Sequence, residues 1–277
     1  MTMRVLVAGC GDVGLRVARR LQARGVAVTG LRRSAAGPVT GVPMLAADLT
    51  DPASLRCLPS GITHVVYLPT PAARTETAYR AVFVDGLEYL LAALDKTTLR
   101  RVVFVSSTAV YGDHAGAWAD ETTPPDPPRF NGAVLWEAER RLAAHGLPAT
   151  VLRLAGLYGP GRTRLFERLR QGATRVPRGG PPFWSHRIHV DDAAAAIVHL
   201  LRMERPEPLY LGVDDTPLPL DVLYDHLAGL LDAPMPVDGP PPAGIGNKRL
   251  ANARLRQSGW EPCWPDAREG YAAILAR

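Results

Sequence analysis

Lysine is nearly missing from this chain of 277 residues: of its 32 basic side chains two are Lys, Lys96 and Lys248, which leaves 30 Arg. Runs of five or six positive charges are missing too. The Arg are scattered among Ala, Gly and Pro, so the formal charge of +5 reads as compositional bias and not as a nucleic-acid surface. Cysteine is scarce: Cys10, Cys57 and Cys263 lie far apart, form neither a CxxC pair nor an even framework, and fit a reducing cytoplasm. No metal-ligand set is read from the sequence. No apolar run approaches the roughly 18 residues of a membrane helix. The N-terminus is not a signal peptide, because Met3-Arg4-Val5-Leu6-Val7-Ala8 is a short strand that runs straight into a glycine loop. These absences exclude a disulfide scaffold, a membrane-spanning protein and a nucleic-acid binder, and point to a cytoplasmic protein whose partner is a small molecule. A hydrophobic content of 47% excludes wholesale disorder. The length suits one large domain or a domain with an appended lobe.

What is present is alternation. Short apolar runs at Arg4–Ala8, Val26–Leu31, Met44–Ala46, His64–Leu68, Val102–Val105, Thr150–Leu154 and Leu209–Leu211 read as strands. Helical patterns at Val13–Ala23, Thr75–Leu94, Ala133–His145 and Asp192–Met203 fall between them. This is the pattern of an α/β fold, a doubly wound parallel sheet of the Rossmann type whose strands are covered on both faces. Two loops break the rhythm, Gly112–Pro128 and Gly172–Pro182, and loops of that length are usually functional or mobile. After Val213 the pattern changes to two helices, Leu220–Leu231 and Ala251–Ser258, separated by a Pro-rich stretch. The expected organisation is a dinucleotide-binding Rossmann domain over 1–160 plus 190–212, with a small C-terminal substrate lobe from 161–189 plus 213–277.

Gly9-Cys10-Gly11-Asp12-Val13-Gly14 fits G-x-G-x-x-G. It follows a strand by one residue and opens an amphipathic helix carrying Val13, Val17 and Leu21, which is the context the motif needs. Gly9 permits the turn, Gly11 lets a pyrophosphate approach the backbone, and Gly14 allows close helix–strand packing. The free N–H groups of the helix N-terminus then face the phosphates. At the end of the second strand, where NAD binders carry an acid for the ribose hydroxyls, this chain has Arg32-Arg33-Ser34. Arg forks suit a 2′-phosphate, so NADP is the expected cofactor, with NAD the alternative. Asp48, at the end of the third strand, can accept from the adenine amino group. Leu49, Leu68, Pro69, Thr70 and Ser106, at the ends of later strands, complete the expected cofactor wall.

With these pieces in order, the chain resembles the extended and atypical short-chain dehydrogenase/reductases grouped as NAD-dependent epimerases/dehydratases, and the resemblance runs over nearly its whole length. Ser106-Ser107-Thr108-Ala109-Val110-Tyr111-Gly112 is similar to the family's Ser-Ser-x-x-Val-Tyr-Gly stretch. Leu152-Arg153-Leu154 with Tyr158-Gly159-Pro160-Gly161 resembles the segment that wraps the nicotinamide, and His189-Val190-Asp191-Asp192 resembles the His-Val-Asp-Asp signature. Asp191 and Asp192 read structurally as caps of the helix they open. The resemblance implies that Ser107 is the catalytic hydroxyl, polarising a substrate carbonyl or alcohol.

The family's Tyr-x-x-x-Lys should open the following helix. Asn131 stands in place of the Tyr and Leu135 in place of the Lys, and no Tyr of the chain is followed four residues later by Lys. The usual acid–base pair, in which a cation lowers a Tyr pKa toward neutrality, is therefore not expected here. Tyr111 and Tyr158 are the candidates to replace it, and Thr108, Asn131, Arg187 and His189 are the candidate substrate contacts. Enzymes acting on nucleotide sugars often carry an Arg five residues before the Val of His-Val-Asp-Asp, where this chain has Ser185, so a nucleotide-sugar substrate is not supported. Two functions follow. One is an atypical NAD(P)-dependent oxidoreductase or epimerase acting on a small polar substrate. The other is a non-catalytic NADP(H)-binding redox sensor or regulator. The resemblance also allows a homodimer, pairing through the helices around Thr75–Leu94 and Ala133–His145.

Overall fold

The computed structural model describes residues 2–34 and 41–276. In chain order the elements are β1 (Arg4–Ala8), α1 (Asp12–Gln22), β2 (Ala27–Arg32), β3 (Met44–Ala46), β4 (His64–Tyr67), α2 (Glu76–Arg80), α3 (Gly86–Ala93), β5 (Arg101–Ser107), β6 (Trp118–Ala119), α4 (Phe130–Ala144), β7 (Ala149–Leu154) and β8 (Gly156–Tyr158). They continue with α5 (Arg164–Arg170), β9 (Arg175–Val176), β10 (Trp184–Ser185), β11 (Arg187–His189), α6 (Val190–Arg202), β12 (Leu209–Gly212), β13 (Leu218–Pro219), α7 (Leu220–Leu230), β14 (Val237–Asp238), β15 (Arg249–Leu250), α8 (Ala253–Gln257) and α9 (Ala267–Leu275).

Seven strands form one sheet in the order β12-β7-β5-β4-β1-β2-β3, every pairing parallel. The apolar runs explain the burial. Val102, Val103 and Phe104 of β5 are fully buried, because helices cover both faces of a central parallel strand. Helix α1 buries Val13, Val17, Ala18 and Leu21 and turns Arg16, Arg19 and Arg20 outward, a one-sided stripe at helical spacing. The strand order reverses between β1 and β4. In a doubly wound sheet ligands bind in the crevice beyond the carboxyl ends of the strands at such a point.

The helix expected over Thr75–Leu94 is interrupted. α2 and α3 are joined by a wide helical turn at Ala81–Asp85. Tyr67, at the end of β4, donates from its hydroxyl to the Val82 carbonyl at 2.5 Å, drawing that carbonyl out of the regular ladder. Helix α6 is capped differently from expectation. The His189 side chain, not an Asp, accepts from the Asp191 N–H at 3.1 Å. Asp191 instead pairs with Arg16 and Arg20 of α1, at 2.8 and 3.3 Å. Asp192 accepts from the backbone N–H groups of Cys263 and Trp264, tying the C-terminal segment to the start of α6.

The apolar interior falls into two clusters. The larger surrounds the sheet. The smaller gathers Tyr158, Phe166, Leu169, Val176, Phe183, Leu223, Leu227 and Tyr271 beyond the carboxyl edge of the sheet. The C-terminal stretch contributes to both: Leu250, Leu255 and Trp260 pack in the first, Ala267 and Tyr271 in the second. Among the described residues no helix is long and apolar enough to cross a membrane.

Candidate functional site

The glycine loop is shaped by what its glycines permit. Gly9 has φ +92°, and a Cβ there would lie 2.5 Å from Pro69 Cα and N, so only glycine fits between β1 and the turn after β4. The N–H groups of Gly9 and Cys10 both donate to the Leu31 carbonyl, folding the loop over the end of β2. At Gly14 a Cβ would press on Gly9 O at 3.1 Å and Val7 Cγ1 at 3.2 Å, the close packing of helix on strand. Gly11 differs from both. The nearest atom a Cβ there would meet is 4.0 Å away, so the protein itself leaves that space open toward the cleft. Gly11 precedes α1, whose first turn receives no side-chain cap, so the N–H groups there face the cavity without a side-chain acceptor. An open cradle backed by uncapped amides fits a pyrophosphate.

Two cavities meet at this loop. One, of about 360 Å³, is walled by Gly9, Gly11, Leu31, Arg32, Arg33, Asp48, Leu49, Pro69 and Thr70, with Ala78, Ala81 and Val82 opposite. Asp48 accepts from the Thr50 N–H and hydroxyl through one carboxylate oxygen, at 2.9 and 2.8 Å, which leaves the other for a ligand. Ser34, the residue after Arg33, is not among the residues that line it. The second cavity, of about 380 Å³, runs over Asp12, Val13, Gly14, Leu68, Ser106 and Ser107 to Asn131, Leu135 and Ala155. Ser107 ends β5, and its oxygen accepts from the Ala109 N–H at 3.1 Å, so its proton remains free to be donated. Asn131 lines the same cavity as Ser107, and the residue that follows it is glycine. A Cβ at Gly132 would collide with the Ala109 carbonyl, so only glycine lets α4 settle on the turn that follows Ser107.

A third cavity, of about 800 Å³, adjoins the second and shares Tyr79, Ser107, Asn131, Leu157 and Arg162 with it. Thr108 and Arg187 are in its wall, together with Arg74, Arg129, Ser185, His186 and Lys248. Lys248 is buried, donating to the carbonyls of Gly112 and Gly246 at 3.2 and 3.1 Å, and burial lowers its pKa to about 8. His186 bonds the Lys248 carbonyl through Nε2, and burial holds its pKa down at about 3, so the ring is neutral and donates to that carbonyl. The sequence places Lys248 in the C-terminal substrate lobe and gives it no role in the site. The chain in fact returns through 243–248 to close the cavity beside the Gly112 loop. Tyr79 was not anticipated either. Its spacing to Phe83 suggests a core face, and its ring does pack on Phe83 and Phe130, but it also borders both cavities.

Several expected site residues are placed elsewhere. Tyr111 touches the third cavity, but its hydroxyl is committed: it donates to the Asp120 carbonyl at 2.8 Å and accepts from Arg153 Nη1 at 2.7 Å. Burial, only partly offset by Arg153, keeps its pKa above the ordinary value. Ser106 donates to Glu139 at 2.5 Å, and Glu139 forms a buried ion pair with Arg153 at 2.6 Å. Ser106, Tyr111 and Arg153 thus belong to one network of hydrogen bonds under the cleft, in which Arg153 is only 2% exposed. Tyr158 stacks on Tyr271 at 4.3 Å within the smaller core cluster, its hydroxyl has no hydrogen-bond partner among the described residues, and burial drives its pKa far up. A Tyr in that state is a poor proton donor. His189 lies edge-on to Tyr158, serving as the cap of α6 and not as part of the substrate wall.

Comparison with known proteins agrees with this geometry. The model of the NAD dependent epimerase/dehydratase family matches residues 5–212. Protein YeeZ of Escherichia coli K12 is 31% identical, over 95% of this chain and 97% of its own length. A structure from Methylobacillus flagellatus, assigned by name to the NAD-dependent epimerases/dehydratases, is 41% identical, covers 100% of this chain and 98% of that one, and superposes with a TM-score of 0.84. Thermus thermophilus UDP-glucose 4-epimerase in complex with NAD is similar in fold, with a TM-score of 0.80 at 24% identity, covering 99% of each chain.

Proposed function

The chain belongs to the NAD dependent epimerase/dehydratase family, and from that premise we propose that it is an oxidoreductase or epimerase that binds a nicotinamide dinucleotide along the glycine loop and acts on a small polar substrate in the adjoining cavity. The supporting observation is the shared wall: Tyr79, Ser107 and Asn131 border both the dinucleotide cleft and the larger cavity. NAD, when bound, supplies the capacity to accept and return a hydride. The protein's own groups do the rest. Ser107 donates a hydrogen bond from its free hydroxyl to the substrate oxygen and keeps its proton, the Asn131 amide orients that oxygen, and Tyr79 takes the one proton of that oxygen when the substrate is oxidised and returns it when the substrate is reduced. Asn131 and Leu135, at the positions where the family's Tyr and Lys are expected, both line the cleft, which leaves Tyr79 as the tyrosine common to both cavities. Arg32 and Arg33, at the end of β2 where NAD binders carry an acid, border the adenosine end beside Asp48 and support a preference for NADP over NAD.

Titration with NADPH and NADH, followed by nucleotide fluorescence, tests the binding reading: NADPH should bind more tightly. Ser107→Ala and Tyr79→Phe should each lower turnover by about 10²-fold or more while leaving cofactor affinity unchanged. Full turnover in both variants would overturn these roles. Binding of oxidised and reduced cofactor with unequal affinity, without turnover of any alcohol or aldehyde, would favour a redox sensor.

A further inference from the structure

The wall of the 800 Å³ cavity contains Arg74, Arg129, Arg162, Arg187 and Lys248, and not one carboxylate. We infer that this cavity takes a small phosphate monoester, with its phosphoryl group held by Arg74, Arg129 and Arg187; the inference rests on the dinucleotide reading only for which end of the ligand faces Ser107.

Some arginines of the fold meet acids: Arg80 meets Glu137 at 2.7 Å, Arg153 meets Glu139 at 2.6 Å, and Arg178 meets Asp225 at 2.6 Å. Others, such as Arg56, Arg202 and Arg205, are exposed and make no such contact among the described residues. Arg74 and Arg129 are of the second kind, and what distinguishes them is that both border this one cavity together with Arg187 and Lys248. Arg187 is held from behind, donating to the His186 carbonyl at 3.0 Å, and its charge is maintained against burial by Tyr271, Tyr224 and Asp214. The guanidinium end of Arg129 lies against Gly244, where a Cβ would overlap its Nε. Converging positive charges repel unless an anion lies between them, and a cleft with walls of one sign concentrates the opposite sign.

Two features sharpen the class. A carboxylate is saturated by about two forks, whereas a phosphoryl dianion offers three peripheral oxygens and accepts several guanidinium groups together. The wall also holds the Ser185 hydroxyl, buried and without a hydrogen-bond partner among the described residues. A buried hydroxyl left unpaired is unfavourable, so it marks where a polar group of the ligand belongs. The phosphoryl end sits against the arginines and the reacting carbon extends toward Ser107 and Asn131.

The test is calorimetric titration of the NAD-loaded protein, whose glycine loop is already filled, with inorganic phosphate, glucose 6-phosphate, glucose, succinate and UDP-glucose. Phosphate and glucose 6-phosphate should bind, with affinity falling several-fold as salt rises from about 0.05 to 0.3 M, and glucose should not. Arg129→Gln and Arg74→Gln should each weaken phosphate about tenfold, and Arg187→Gln more, with NAD affinity unchanged. Because Arg187 is partly buried and its loss can disturb folding, the two exposed arginines decide the result. Three outcomes overturn the inference: phosphate and its ester inert toward protein that binds NAD, succinate binding better than phosphate, or UDP-glucose binding while glucose 6-phosphate does not. Failure to bind NAD would remove the redox reading instead. The phosphate response of wild type against Arg129→Gln would still decide the anion site.

Discussion

The two halves of the cleft are made of different material. The dinucleotide half is largely backbone: glycines that clear space, uncapped amides at the head of α1, and apolar strand ends. The neighbouring half is built from charged side chains that arrive from many places, Arg74 before α2, Arg129 before α4, Arg187 on β11 and Lys248 near the C-terminus. A binding surface made of backbone depends on local conformation, so a short motif specifies it. A surface made of side chains depends on which loops meet, so its chemistry can change while the fold stays constant.

Substitutions can break this contrast or sharpen it. The largest expected effect lies beneath both halves. Glu139→Ala leaves the Arg153 guanidinium buried and uncompensated and should cost about 3–5 kcal/mol, read by urea denaturation; a loss below about 1 kcal/mol would mean that water reaches Arg153. Next, Gly9→Ala forces a Cβ onto Pro69 in a backbone region that L-residues avoid. NADH fluorescence should show affinity falling by about 10²-fold, while the phosphate response stays within about twofold. Loss of both responses would mean that the halves are not separable.

Smaller effects follow. Arg32→Ala with Arg33→Ala should weaken NADPH by about tenfold and NADH much less, and equal weakening would argue against a 2′-phosphate contact. The smallest is a pH effect confined to the charged half. Burial lowers the Lys248 pKa from 10.5 to about 8. Phosphate affinity should therefore fall a few-fold between about pH 7 and 9 as that cation is lost, and Lys248→Met should abolish the pH step. Stability moves the opposite way. Between pH 8 and 10.5 the unfolded chain holds a proton on Lys248 that the folded chain has released, so stability rises with pH across that window.

The strand pattern was legible because each strand is an unbroken apolar run. β1 and β3 coincide with their expected limits, and β7 differs by a residue at its start. The glycine loop was legible for the same reason, since motif and strand are contiguous. What escaped depends on distant partners. The break between α2 and α3 comes from the hydroxyl of Tyr67, nine residues before α2 begins. Tyr111 and Tyr158 look like cofactor neighbours from their place in the chain, but their hydroxyls turn away from the cleft, one toward Arg153 and the other into the stack with Tyr271. A clue to the first was present: Arg153 lies within an apolar strand, where a charge needs a partner, and Glu139 lies on the apolar side of α4. No comparable clue marked Lys248 or Tyr79, because the meeting of the Gly112 and 243–248 loops, and the packing of α2 on α4, bring them to the cleft.

Tyr79, Ser107, Asn131, Leu157 and Arg162 each face two cavities at once. Arg162 also reaches Asp12 of the glycine loop at 3.3 Å, so one side chain spans both cavities. For the two ligands proposed above, a wall touched by both is where their affinities would be linked. Whatever factor the dinucleotide contributes to the second ligand's affinity, the second ligand must return to the dinucleotide. The order of filling can then change rates, while the free energy of the ternary complex is the same by either route.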